Sequence, residues 1–242
     1  MYKLEMHVHS RPVSRCGHID PEEEIAMYKA AGYQGMVSTN HINLATFQDM
    51  EELSWPEKAA YFMSGYEAQK AVGGEDFDVL LGCEINLSRP GQDYIPNDYL
   101  VYGVTEQWLL ETGDPRRFTL KQLSQAARGA GLLLVQAHPF RCGTILMEPD
   151  LLDGLEVFNG NNTHDSHNAL ADYWADMNGL IKTSGSDFHK ADSSLNAGIR
   201  TKTRIRTNQE LLQLLRSGDY ELIKPEECRM KITISICRGT AL

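Results

Sequence analysis

The feature that most constrains this chain is an alternation: short apolar runs that end in polar or ionisable residues, with helical stretches between several of them. Residues Tyr2 to His9 open the series, with Leu4, Met6 and Val8 on one face of a strand and Glu5, His7 and His9 on the other. "QGMVST", "FDVLLGCEINL", "YLVYGV", "GLLLVQAH", "GLEVFN" and "LIKTSGSDFH" repeat the grammar. Between them, "DPEEEIAMYKAAG" reads as a helix with Asp20 as N-cap, Pro21 at the first position, Glu22 to Glu24 on the positive end and Gly32 as the stop. "TLKQLSQAARGAG" and "SHNALADYWADMNG" are further helices. Such alternation predicts an α/β fold of parallel strands with helices outside, as a closed barrel or an open doubly wound sheet. A barrel gathers the C-terminal ends of all its strands round one mouth, whereas an open sheet gathers only those near its switch point. Nearly every run here ends in a potential ligand, which favours the barrel.

Of the eight histidines, His7, His9, His41, His138 and His189 stand at or just after the end of a run, and Glu84 and Asp187 stand at similar positions. One histidine alone is more often structural; the coincidence of so many strand ends is what points to a metal. His7 and His9 are two residues apart on one strand, so both reach the same side and can share a cation. "SDFH" repeats the device with Asp187 and His189. Neutral imidazoles with carboxylates suit zinc, manganese or iron, and the two oxygens of Glu84 can bridge two ions. The pattern predicts a hydrolytic site of two to three divalent metals.

The blocks "HVHS", "STNH", "GCEI", "AHPF", "GLEVFNG" and "GSDFH", in this order between Met6 and His189, resemble the motifs of the polymerase and histidinol phosphatase (PHP) superfamily of metal-dependent phosphoesterases. The resemblance implies a distorted (β/α)7 barrel with a trinuclear site at the C-terminal mouth of its strands. It implies that His7, His9, Glu84 and Asp187 hold the first metal and act in catalysis through a metal-activated hydroxide. Glu84 would bridge to a second metal bound also by His138. The third would take His41, His189 and a ligand from the loop after the first strand. "RCGHID" resembles the ending of that loop in the histidinol-phosphatase-like branch, which makes His18 the candidate. Cys16 stands where many members have Asp, and is either the loop ligand itself or a buried, inert cysteine.

Two further departures from the family pattern stand out. Asn40 precedes His41 where the family usually has Asp, and an amide supplies no charge behind the ligand. "NDYLVYG" lacks the histidine that relatives commonly offer the second metal. Asp98 stands about there, either as a carboxylate ligand or as an exposed turn residue.

A single domain over 1–242 is expected, with the motif-bearing barrel in 1–200. In 201–242, the helix "TNQELLQLLRSGDY" and the strand "MKITISIC" would complete or flank it. Lys and Arg number 23 against 33 Asp and Glu, and the net charge of −10 disfavours extended nucleic acid. A small phosphorylated substrate stays compatible, because bound cations offset the charge locally. Arg141, three residues past His138, and Arg15 and Arg11 in the first loop are candidates to grip phosphate, the alternative being ordinary surface arginines. Asn159 either orients substrate or ends a strand, and His164 and His167, which match no motif, read as surface or substrate-rim residues.

The five cysteines are odd in number and form no CxxC pair, which argues against a disulfide framework and for a reducing cytoplasm. No apolar run approaches the roughly 20 residues of a membrane span, and the first residues lack a signal-peptide layout. The expected function is a phosphoesterase acting on a small phosphorylated metabolite or nucleotide. A histidinol-phosphate phosphatase, a nuclease on short oligonucleotides and a non-catalytic metal-binding regulatory module are the alternatives.

Overall fold

Strand β1 (Tyr2–Val8) is buried from Leu4 onward and lies third along the path of strands on which the fold is built. The structure, a computed structural model, describes residues 1–87 and 97–225. The expected strand "MKITISIC", with Cys228 and Cys237, lies outside the described residues. After β1 come α1 (Pro21–Ala30), β2 (Gly35–Ser38), β3 (His41–Ile42), α2 (Trp55–Gly73), β4 (Asp78–Asn86), β5 (Asp98–Tyr102), α3 (Glu106–Thr112) and α4 (Leu120–Gly129). Then follow β6 (Leu133–Gln136), β7 (Gly154–Asn159), α5 (Asn168–Asn178), β8 (Ile181–Gly185), β9 (Gly198–Thr201), α6 (Asn208–Ser217) and β10 (Glu221–Ile223).

The strands run in the order β10-β9-β1-β2-β4-β5-β6-β7-β8, with β3 added beside β4. The far edge returns to the first strand: Val8 bridges Phe188 in parallel, His9 N–H donates to Phe188 O at 3.0 Å and Phe188 N–H to His7 O at 3.3 Å. The result is a mixed α/β fold with a nearly closed, barrel-like sheet. Parallel pairing holds for β1–β2, β2–β4, β6–β7 and β7–β8.

Two expectations need correction. The sheet is not parallel throughout, for β5 runs antiparallel to both β4 and β6, and β9 and β10 run antiparallel to their neighbours. Asn86 and Asp98, the facing ends of β4 and β5, are register partners, so the two strands run in opposite directions. The second correction concerns β1, whose register against β2 shifts between Glu5 and Val8. Leu4 and Met6 pack with Leu80, Leu100 and Val135, whereas Val8 packs with Ile25 and Tyr28. The irregularity lets His7 turn inward next to Met6. Its backbone donors end on one buried acceptor, Glu5 Oε1, which takes the N–H groups of Met6 at 2.8 Å, His7 at 3.0 Å and Ser186 at 2.9 Å.

Along β4 the period of two sorts the residues. Leu81, Cys83 and Ile85 pack outward with Phe62 of α2, Leu109 of α3 and Leu123 of α4, while Leu80 joins the inner cluster that Leu211 and Leu215 of α6 also enter. Glu84 shares the face of Leu80, so the same alternation that builds the core delivers a carboxylate to the mouth. Among the described residues, no helix is long and apolar enough to cross a membrane.

Candidate metal centre

Each potential donor sits where a strand reaches the mouth. His7 and His9 come from the end of β1, His41 opens β3 directly beside Glu84 of β4, and His138 follows β6. Asp187 and His189 follow β8, flanking Phe188, whose fully buried ring packs against Tyr28 with centroids 5.5 Å apart. Asp98 arrives differently: because β5 is reversed, its first residue, not its last, reaches the mouth.

Glu84 is the hub. Its Oε2 lies 3.3 Å from His7 Nε2, 3.1 Å from His9 Nε2 and 3.0 Å from His41 Nδ1, while Oε1 lies 3.3 Å from His138 Nε2. Asp187 Oδ1 stands 3.5 Å from His7 Nε2 and 3.3 Å from His9 Nε2. Three groups have donor atoms within 4.8 Å of one another: His7, His9 and Asp187; Glu84, Asp98 and His138; and His9, His41 and His189. Both Glu84 oxygens and His41 Nδ1 are buried yet make no hydrogen bond. Orphaned buried acceptors ringed by imidazole nitrogens are costly in a protein interior and are the arrangement that cations satisfy. The nitrogen and oxygen donor set fits divalent zinc, manganese or iron.

The backbone pays locally for this convergence. His138 and Asp187 have φ of 29° and 49°, left-handed values that non-glycine residues seldom adopt. The strain is held by side chains: His138 N–H donates to Glu156 Oε2 at 2.9 Å, and Asp187 Oδ2 accepts from Asn159 Nδ2 at 3.3 Å and Asn161 Nδ2 at 3.2 Å.

Electrostatics divide the histidines. Burial opposes charge on His7, but Glu156, Glu84 and Asp187 outweigh it and hold its pKa well above the usual value. His9 and His138 are raised in the same way, against burial, by the nearby carboxylates of Asp187 and Glu84. On the other side burial and the nearby His9 push His41 well down and His189 to about 4. Glu84 and Asp187 stay well below the carboxylate range, since His7 and its neighbours overcome burial. Asp98 rises to about 6 through burial and the charge of Glu84. The centre thus keeps its two shared carboxylates ionised.

Glu84, Asp98, His138, His41, Asp187 and His189 line a cavity of about 490 Å³, with His7 and His9 buried behind them. Cys16 and His18 line its wall but are exposed, and neither joins a donor group; His9 completes the group with His41 and His189 instead. His18 N–H donates to His189 O at 2.8 Å, which ties the loop to the residues after β8. Asn40 works through geometry, accepting from Ser10 N–H at 3.0 Å and from Ser14 Oγ at 2.7 Å, and Ser14 Oγ accepts His41 N–H at 3.0 Å. Arg15 and Arg141 line the cavity, Arg15 pairing with Asp49 and Arg141 standing 3.9 Å from Asp98; Arg11 is exposed and lines none of it. His167 is exposed and paired with Asp165.

Glu156 has no place in the site from its sequence position, and His164 is expected there only as a surface or substrate-rim residue. Glu156 is fully buried, with Oε1 2.8 Å from His7 Nδ1, and its signal was a charged residue inside an apolar run. His164, read as surface or rim, lines the cavity with Nε2 buried and unbonded, 3.8 Å from Asp187 Oδ2. No motif marks it.

No protein-family model matches this sequence, and no curated protein does. Solved structures do. A two-domain protein from Bacteroides vulgatus containing a predicted PHP-like metal-dependent phosphoesterase matches 91% of this chain at 16% identity with a TM-score of 0.63, and this chain spans 64% of that one. PsfC from Pseudomonas syringae matches over 87% of both chains at 17% identity, TM-score 0.59. A protein from Bifidobacterium adolescentis assigned as a metal-dependent phosphoesterase matches 89% of this chain and 96% of its own at 15% identity, TM-score 0.52. At such identities the likeness shows the fold. The chain therefore has the fold of PHP-like metal-dependent phosphoesterases, and its mouth carries groups of His, Asp and Glu able to hold metal.

Proposed function

We propose that this protein is a metal-dependent phosphoesterase that hydrolyses a small phosphorylated metabolite or nucleotide. The observation that carries the reading is Glu84, one buried carboxylate whose two oxygens face different sets of histidines at the floor of an open cavity. His7, His9 and Asp187, with Glu84, would hold a first cation; Glu84, His138 and Asp98 a second; His9, His41 and His189 a third. Two to three divalent ions, zinc, manganese or iron, would supply Lewis acidity toward a phosphoryl oxygen and a nucleophile from water at neutral pH.

The chain's own groups would do the rest. Arg141 reaches the cavity on the Asp98 side, where its guanidinium can grip a phosphoryl oxygen in two-point fashion. Arg15 offers charge from the opposite loop. His164 lines the same space, and its unpaired Nε2, buried 3.8 Å from Asp187 Oδ2, would turn to donate to a bound oxyanion. The likeness of two solved neighbours described as metal-dependent phosphoesterases supports the same reaction class.

The test is metal analysis of the purified protein together with turnover of a panel of phosphorylated metabolites, nucleotides and short oligonucleotides after loading with manganese or zinc. Hydrolysis of a phosphomonoester, abolished by Asp187→Ala, is expected. Fewer than two ions per chain at full loading would reject the multinuclear site. Full loading without turnover of any ester would favour a non-catalytic metal-binding module.

A further inference from the structure

Glu156 lies in the middle of β7, fully buried, and points each of its oxygens at a different part of the centre. Oε1 meets His7 Nδ1 at 2.8 Å. Oε2 accepts from His138 N–H at 2.9 Å and from Asn159 Nδ2 at 2.9 Å, and the same Asn159 amide reaches Asp187 Oδ2 at 3.3 Å. We infer that Glu156 is a positioning residue shared by two cation positions: it fixes the ring of His7 for one and the strained backbone of His138 for the other. The inference rests on the metal-dependent reading above.

The reasoning is one of donors and acceptors. With Oε1 accepting from Nδ1–H, the proton of His7 is pinned to Nδ1, and Nε2 turns its lone pair toward His9, Asp187 and Glu84. With Oε2 accepting from His138 N–H, the left-handed residue after β6 is held so that its Nε2 faces the other oxygen of Glu84. A carboxylate is required because both of its sides must accept. An amide of the same shape accepts on one side only. Two donors converge on Oε2, so a glutamine oxygen would settle there and present its NH2 to His7 Nδ1. His7 would then carry its proton on Nε2, the atom that faces the cation.

The experiment is calorimetric titration of the metal-free protein and its variants with Zn2+, read alongside circular dichroism of each metal-free variant. Glu156→Gln is expected to weaken one binding step by about 10–100-fold and to leave the rest near wild type. Glu156→Leu, which removes both acceptors, is expected to weaken two steps. Unchanged binding in Glu156→Gln, or an effect of Glu156→Leu confined to one step, would overturn the sharing. A readout that needs no variant is the 15N spectrum of zinc-loaded wild-type protein, in which His7 should carry its proton on Nδ1; a proton on Nε2 excludes the inference even if a variant fails to fold. Should wild-type protein bind no zinc, the metal reading itself fails, an outcome distinct from all of these.

Discussion

The Nε2 atoms of His7 and His9 face each other across 3.0 Å with their ring planes 70° apart, while the Nδ1 atom of His7 is engaged by Glu156. Two imidazole edges brought this close share whatever lies between them. His9 belongs to two of the donor groups and His189 to one. His9→Gln should therefore cost more bound metal than His189→Gln, measured by elemental analysis of proteins prepared in parallel, with at least a hundredfold lower turnover in the first. Equal metal loss would mean that His9 serves only one position.

Gly185 touches no cation position directly, yet a Cβ there would stand 2.3 Å from His7 Cβ and 2.8 Å from Glu156 Oε1. Something must move, and the neighbours are a candidate ligand and the carboxylate beside it. Gly185→Ala is expected to lower stability by about 1–3 kcal/mol and to reduce metal content. Thermal melting with metal analysis checks both, and wild-type values for either would mean that the strand ends slide apart freely.

Glu24 on α1 is fully buried and accepts from Gln69 Nε2 at 2.7 Å; burial lifts its pKa to about 7, partly offset by that hydrogen bond and by His9. A carboxyl whose folded value exceeds its unfolded one stabilises fully below the unfolded pKa and loses that contribution as pH rises through the folded one. Stability should thus fall between pH 5 and pH 8 by on the order of 3 kcal/mol on this residue's account. Glu24→Gln keeps the acceptor without the charge, and denaturant melts of the variant should be flatter over this range and more stable than wild type at pH 8. A variant with the wild-type slope would place the pH dependence elsewhere.

Arg141 and His164 line the cavity without entering a donor group. Arg141→Ala should raise KM for a phosphomonoester about tenfold with metal content unchanged. His164→Gln should lower kcat/KM by a similar factor and weaken inhibition by inorganic phosphate. Loss of metal in either variant would assign that residue to the centre itself.

How much of this the sequence revealed depends on where the information is stored. His7, His9, Glu84, His138, Asp187 and His189 were legible because each follows from strand periodicity and from the rule that strand ends meet at one mouth. Asp98 was placed by its motif position alone. Its apolar run was read as ending at the mouth, when the reversed β5 begins there, and strand direction leaves no trace in a short apolar run. The inward turn of both Met6 and His7 goes with an irregularity at which Glu5 meets Ser186 and Val8 meets Thr39, contacts between residues far apart in the chain. Glu156 went unassigned for the same reason, since its partners lie on β1 and after β6.

The donors span the chain from β1 to the residues after β8, and the seam where Val8 meets Phe188 lies between the first donors and the last. No contiguous piece of the sequence owns the centre, so a cation that binds only the assembled mouth draws its free energy from the folded state as a whole and returns it as stability that grows with the logarithm of metal concentration. Metal would then act as a closing rivet: the step that would make the protein active and the step that would lock its first strand to its eighth would be one event.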